Sequence, residues 1–364
     1  MTIARLRLAR TEGVGPVTYR RMLARYGSAD AALDALPGIA RDAGRTVVSI
    51  PTLADAEREF GAVAKIGGRM LFVGDPDYPP LLLLLETPPP VLSVLGDPAV
   101  FQARAVALVG ARNASANGRR MAEILAADLA MHDLVVVSGL ARGIDAAAHE
   151  GALRTGRTIA AIAGGLDIPY PPEHAELQAR IAERGAVVAE APIGTAPQAR
   201  HFPRRNRVIA GLSEGVIVVE AAPKSGSLIT ARMAQEAGRE LFAVPGSPLD
   251  PRCRGSNDLI RSSAAHLTES ATDVIEHLTP LRARKVTGFA ETQTTYDPGP
   301  SDGAFEDPTV VRMKLLDMLS PAWVPVDDLV RRCQLSAAAV LGVLAELEAE
   351  GVIQQAGSQV CQLV

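Results

Sequence analysis

The sequence predicts an α/β protein, an extended Rossmann-like doubly wound sheet flanked by an N-terminal helical domain and a C-terminal winged helix. Three observations predict it. From about residue 103 to 278, six apolar runs alternate with amphipathic segments, each run closing on a Gly- or Pro-bearing loop, the pattern of a mostly parallel sheet covered by helices. Ahead of it, Leu6 and Leu8, a Gly13-Val14-Gly15-Pro16 turn, a periodic segment Val17 to Tyr26, and Leu33 and Leu36 read as short packed helices. Behind it, three helical segments lead into a hairpin turned at Ala356-Gly357.

Taken in order, residues 1–60 form the helical unit. Gly-x-Gly between short helices is the turn of a helix-hairpin-helix, whose backbone N–H groups can face a phosphate. A sterile-alpha-motif-like bundle that only packs or recruits fits the same residues. Residues 61–279 form the Rossmann-like domain. Its Pro-rich lead carries short strands around Met70–Val73 and Val91–Leu95; the six main runs are Ala105–Val109, Leu134–Val137, Thr158–Ala163, Val187–Ala189, Val216–Val219 and Leu241–Val244. Residues 280–307, rich in Pro, Gly, Thr and Asp and without apolar periodicity, read as a flexible linker.

Residues 308–364 supply helices at 309–319, 326–333 and 336–350 and a wing over 352–360. The third helix carries Ala337, Ala338, Ala339, Glu346, Glu348 and Glu350 and no Lys or Arg. A helix laid in a major groove needs donors for phosphate and guanine, so protein contact or packing is expected of this one.

With 364 residues, 48% hydrophobic and 21% charged, the chain is globular and long enough for one large core and smaller domains. Cys253, Cys333 and Cys361 are too far apart for a CxxC site and odd in number. They read as reduced thiols, with neither a disulfide framework nor structural zinc. The start lacks the apolar core of a signal peptide, and the most apolar window, Leu81 to Leu85, is cut short by Glu86 and Pro88-Pro89-Pro90. No membrane span and a cytoplasmic location are expected.

A formal net charge of −4 argues against coating nucleic acid with the whole surface; a local basic patch must do any such binding. Arg200-His201-Phe202-Pro203-Arg204-Arg205-Asn206-Arg207 is that patch, four guanidiniums around one of seven phenylalanines. Fixed positive charge beside an aromatic face suits a single strand, which offers phosphates to pair and bases to stack. The bland alternative pairs these arginines with acids such as Glu214 while Phe202 fills the core. Four guanidiniums so close together do not easily all find carboxylates, and a buried unpaired one is costly, so at least two are expected to face a ligand.

In open parallel sheets the working residues gather beyond the carboxyl ends of the strands. The loops there bring Arg112, Arg142 and Lys224 as cations, and Ser115, Ser138, Ser225 and Ser227 as hydroxyls. Lys224-Ser225-Gly226-Ser227 opens a helix, whose N–H groups and dipole favour an anion. Gly110-x-Arg112-x-x-Ser115 lacks the dinucleotide fingerprint, and Lys224-Ser225 lacks the glycines of a Walker loop, so no cofactor is expected; the cysteine spacing leaves no metal expected either.

An enzymatic alternative recruits Glu190 and Glu220 as the carboxylates of a Rossmann-type nucleotide phosphoribohydrolase. Pro245-Gly246-Ser247-Pro248 departs after two residues from the Pro-Gly-Gly-x-Gly-Thr loop of those enzymes. Asp145 and His149 are spaced for one helix face and could pair catalytically; as structural residues, Asp145 caps the helix and His149 packs or bonds locally.

Four motifs in order resemble the DNA-processing protein A family (DprA, also called Smf). They are Ser138-Gly139-x-Ala141-Arg142-Gly143-Ile144-Asp145-x-x-x-His149, Phe202-Pro203-x-Arg205-Asn206-Arg207-x-Ile209-Ala210-Gly211-Leu212-Ser213, Ser225-Gly226-Ser227-Leu228-Ile229-Thr230-Ala231, and Phe242-Ala243-Val244-Pro245-Gly246. The likeness runs from Asp75 to Ile260, about half the chain. It implies a non-enzymatic recombination mediator, homodimeric through the Rossmann-like domain, that binds single-stranded DNA and loads the RecA recombinase onto it in natural transformation. It places DNA contacts on Arg112, Phe202, Arg205, Asn206 and Arg207, with Arg200, Arg204, Lys224 and Ser225 behind them. Ala111, Ala163, His174 and Ser263 depart from the family's usual Ser, Gly, Asn and Gly.

Overall fold

The structure, a computed structural model, describes residues 2–42, 49–278, 308–319, 324–326, 329–330, 337–350, 352–356 and 359–362. It divides into two compact units, Met1–Val286 and Thr287–Val364, each described by itself.

Four helices open the first unit: α1 (Thr2–Arg10), α2 (Pro16–Tyr26), α3 (Ala29–Asp42) and α4 (Leu53–Lys65). Pro16 starts α2 where an N–H would have no partner anyway, and Gly27 stops it in the left-handed region at φ 75°. Thr52 and Asp55 close a reciprocal capping box on α4. Leu6 and Leu8 stand about 200° apart on α1. Accordingly Leu8 joins Tyr19, Leu33 and Leu36, while Leu6 packs on the other side with Val63, Phe72 and Val91. Apolar contact on both sides makes α1 the central helix, bridging the helical hairpin to the sheet.

Next come β1 (Arg69–Phe72), α5 (Pro80–Leu83), β2 (Val91–Gly96), β3 (Ala105–Val109), α6 (Ala116–Met131), β4 (Val135–Ser138), α7 (Ile144–Thr155) and β5 (Thr158–Ile162). They are followed by α8 (Ala175–Arg184), β6 (Ala186–Ala189), α9 (His201–Gly211), β7 (Gly215–Val218), α10 (Gly226–Glu236), β8 (Glu240–Ala243), α11 (Arg254–Arg261), β9 (His266–Leu267) and α12 (Ala271–His277). The nine strands run in the order β1-β2-β6-β5-β4-β3-β7-β8-β9. The pairs from β6 to β9 are parallel, and the β1–β2 and β2–β6 pairs are antiparallel.

Two-sided burial explains why the central strands read as unbroken apolar runs. In β3, Ala105, Ala107 and Val109 face one core, and Val106 and Leu108 face the other. The chain builds outward from β3 through β4, β5 and β6, then returns to pair β7 on the other side of β3. The β3/β7 boundary is therefore the topological switch point.

In the second unit, α13 (Pro308–Met318), β10 (Val324–Pro325), α14 (Ala337–Ala349), β11 (Ile353–Ala356) and β12 (Gln359–Gln362) surround a core that includes Val311, Leu315, Val340, Leu344 and Val360. The strands order as β10-β12-β11, a winged helix with an Arg312–Glu350 ion pair on its surface. The expected linker at 280–307 lies outside the described residues, as does most of the expected helix at 326–333. Among the described residues no helix is long and apolar enough to cross a membrane.

Candidate nucleic-acid interface

The charged run opens helix α9, from His201 onward, with Arg200 as its cap residue. Helical spacing then divides the four guanidiniums. Arg200 and Arg204 are exposed, Arg207 is half-buried and Arg205 is 7% exposed. Arg205 lies one turn from Phe202 and one turn from buried Ile209, so it follows that stripe inward.

Arg205 Nη1 sits 3.6 Å from Asp145 Oδ2. Its Nε and Nη1 make no hydrogen bond. The space it fills exists because residue 139 is glycine: a Cβ there would lie 1.3 Å from Nη1. Asp145 also accepts from Ala141 N at 3.3 Å. Burial pushes the Asp145 carboxyl above its ordinary range, against the pull of Arg205.

Over this floor lies an aromatic pocket. The Arg112 guanidinium stands 4.9 Å from the Phe202 ring centroid, and Arg205 stands 5.8 Å from it. Tyr170 meets the same ring at 5.9 Å, tilted by 58°. Arg112, Gly139, Arg142, Tyr170, Phe202 and Arg205 line this small pocket. Arg142, at its rim, pairs with Glu173. The Arg112 loop is held close because residue 143 is glycine at φ 79°; a Cβ there would lie 2.2 Å from Ala111 O. A wider cleft of about 680 Å³ opens beside it, where His201, Arg204 and Arg207 face the Gly13–Gly15 turn.

Arg205 and Arg207 differ from the expectation that both track a strand. Arg205 is buried against Asp145, and Arg207 pairs with Glu190 at 3.1 Å and donates to Thr87 Oγ1 at 2.9 Å. Glu214, the acid that the bland alternative offered to this run, holds Arg104 at 2.8 Å instead. Asn206 turns to α10, donating to Gly226 O at 3.3 Å. Lys224 is exposed at φ 65°, and the Ser225 and Ser227 hydroxyls bond each other at 2.7 Å. The α10 start makes no side-chain cap bond through Ser225. Lys224 and Ser225 do not line the Phe202 pocket.

The residues of the enzymatic alternatives have structural contacts. Glu220 is buried and accepts from Ser115 N at 2.9 Å and Ser115 Oγ at 2.5 Å. Asp145 does not cap α7; that place belongs to Gly143, and Asp145 is drawn to Arg205 instead. His149 is fully buried, with Nδ1 at 2.7 Å from Thr158 Oγ1. Thr158 spends its hydroxyl proton on Val136 O, at 2.6 Å, which assigns the imidazole proton to Nδ1. Nε2 is left buried without a hydrogen bond. Burial pushes His149 down to about 3, so it is neutral at physiological pH.

Tyr170 and the floor roles of Gly139 and Asp145 were not expected from the sequence. Tyr170 follows β5, far along the chain from Phe202, and gives no local signal. The Gly139–Asp145 spacing was visible, but only contact with α9 gives it meaning. Of the departing positions, His174 Nδ1 lies 2.9 Å from Leu140 O, and Ser263 adopts φ 54°, a conformation that suits the family's glycine.

These parts define a Rossmann-like protein with a helical module before the sheet, a winged helix after it, and a guanidinium–aromatic pocket at the strand ends. The chain belongs to the DNA recombination-mediator protein A family: residues 69–279 match the model of that name. Residues 1–62 match the DprA-like N-terminal HHH domain, resolving the first module in favour of the helix-hairpin-helix, and residues 300–358 match the DprA winged helix domain. The chain is 45% identical over 195 residues to Protein Smf of Synechocystis, a match covering 52% of this chain and 49%, about half, of that relative. DNA processing protein A of Streptococcus pneumoniae shares the fold with a TM-score of 0.60 at 36% identity, over 69% of this chain and 83% of that one. The Helicobacter pylori protein of the same name gives 0.53 at 30% identity, over 59% of this chain and 96% of that one.

Proposed function

We propose that this chain binds single-stranded DNA at the Phe202 pocket and acts without catalysis as a recombination mediator. The observation that carries it is the stack of Arg112 on Phe202 with Arg205 below, open at the strand ends. A base takes the place of Arg112 on the ring, and Arg112, Arg200, Arg204 and Lys224 meet phosphates; Arg205, Asn206 and Arg207 hold the surface that presents them. The Helicobacter pylori relative, whose structure is described for its single-stranded DNA binding mode, supports this reading. The same reading makes the chain a cytoplasmic homodimer that loads RecA onto incoming DNA in natural transformation.

The test is the affinity of wild type and Arg112→Ala/Phe202→Ala for fluorescent oligo-dT, with a duplex of the same length as control. Equal affinity of the two proteins for the single strand would sink the assignment. Acceleration of RecA filament nucleation on a covered single strand, absent with the variant, tests the loading step.

A further inference from the structure

At the β3/β7 switch point a cavity of about 420 Å³ opens beside the start of α6. Crevices at such points are where open α/β sheets take ligands. Three side chains converge in this one: Glu220, just after β7, and Asp250 and Cys253, beyond β8. A carboxylate oxygen of Glu220, one of Asp250 and the Cys253 sulfur lie within 4.8 Å of one another. Among the described residues no other group of three His, Cys, Asp or Glu side chains meets in this way.

This is not a patch of surface acids, because Glu220 and Cys253 are only 5% and 7% exposed. Each of the three groups has a local contact. Ser115 fixes Glu220 through its N–H and hydroxyl, and Asp250 accepts from Arg252 at 2.7 Å. Cys253 is a free thiol, nine-tenths buried, whose sulfur accepts from the Ser247 backbone N–H; it forms no disulfide and lines the cavity beside both carboxylates. Its sulfur sits where Gly246 leaves room; a Cβ on Gly246 would come within 2.2 Å of it.

The geometry points to a mononuclear site for a thiophilic divalent cation of the Zn²⁺ class, ligated by Glu220, Asp250 and Cys253. A thiolate with two carboxylates favours Zn²⁺ over the oxygen-seeking Mg²⁺ and Ca²⁺. Three protein ligands leave one position of a tetrahedron for water. Binding releases the thiol proton to solvent. Ser115 orients Glu220 as an outer-shell partner, and it belongs to the loop that carries Arg112, so the ion also braces that loop. The expectation of no metal rested on cysteine spacing, which detects paired thiols and not one thiol joined by distant carboxylates.

Co²⁺ titration of the full, metal-stripped chain tests the site. One equivalent should produce a near-ultraviolet thiolate-to-cobalt band that Zn²⁺ displaces. The band should persist in Cys333→Ser/Cys361→Ser and vanish in Cys253→Ser, while Asp250→Asn should weaken Co²⁺ affinity about tenfold or more. Thermal melting in metal-free buffer checks that each variant folds, and Asp250→Asn decides the matter if Cys253→Ser does not. No band in wild type, a band surviving in Cys253→Ser, or unchanged affinity in Asp250→Asn overturns the site. None of these readouts involves DNA, so the site and the proposed function fail separately.

Discussion

The floor and the rim of the Phe202 pocket are built from the same residue type and do different work. On the floor, Arg205 is buried against Asp145, under a ring and over a glycine. On the rim and the neighbouring surface, Arg112, Arg200 and Arg204 are exposed. The difference teaches that position on a helix, rather than composition, decides whether a guanidinium supports a surface or offers charge from it. A floor arginine is read in stability and a rim arginine in salt dependence.

Arg205→Ala should break that distinction most visibly. It leaves Asp145 buried without its cation and should lower unfolding free energy by roughly 3–5 kcal/mol in urea melts, with Asp145→Asn recovering part of the loss. A loss no larger than that of Arg204→Ala would abolish the contrast. Beneath the same floor, His149 titrates far below its ordinary 6.5, at about 3 in the folded chain. Its contribution to stability is therefore complete above pH 6.5 and lost as pH falls toward 3, because the unfolded chain takes up a proton that the folded one refuses. Between pH 7 and 4.5 this amounts to about 2–3 kcal/mol, and His149→Gln should flatten that part of the profile.

Phe202→Ala addresses the layer between floor and rim. It should weaken oligo-dT binding by roughly 1–3 kcal/mol at every salt concentration, read by fluorescence anisotropy. Arg204→Ala should act more gently, reducing the slope of log affinity against log salt by about 0.7 with little change in melting. A changed melt with an unchanged slope would move Arg204 to the floor class. Smallest of all, a chain ending at Val286 should keep the oligo-dT affinity of the full chain, since α14 carries no Lys or Arg. A large loss would give the winged helix a share in the rim.

The sheet was legible because its central strands are buried on both faces, so Ala105–Val109 and Val216–Val219 stand out as apolar runs. β9 was not, because His266–Leu267 is two residues long, exposed and at the edge. α9 was hidden by Pro203 and by cations spread over its opening, which conceal the inward stripe of Phe202, Arg205 and Ile209. Cysteine spacing could not reveal a group assembled from Glu220, Asp250 and Cys253. The residues of the pocket were partly readable as types, but the partners of each came from loops far away in sequence. Asp145 is the clearest case: a helix-start acid invites a capping role, and only the arrival of Arg205 from another helix gives it a different one.

Gly139 offers a way to separate shape from charge. Adding a single methyl there alters no ionisable group and leaves the chain's net charge as it was, yet Arg205 cannot remain where it stands. A Gly139→Ala chain would thus meet a distant strand with the same long-range attraction and fail only at close quarters. It is an uncharged control for every arginine substitution at the site, dividing what the proposed binding owes to attraction at a distance from what it owes to contact.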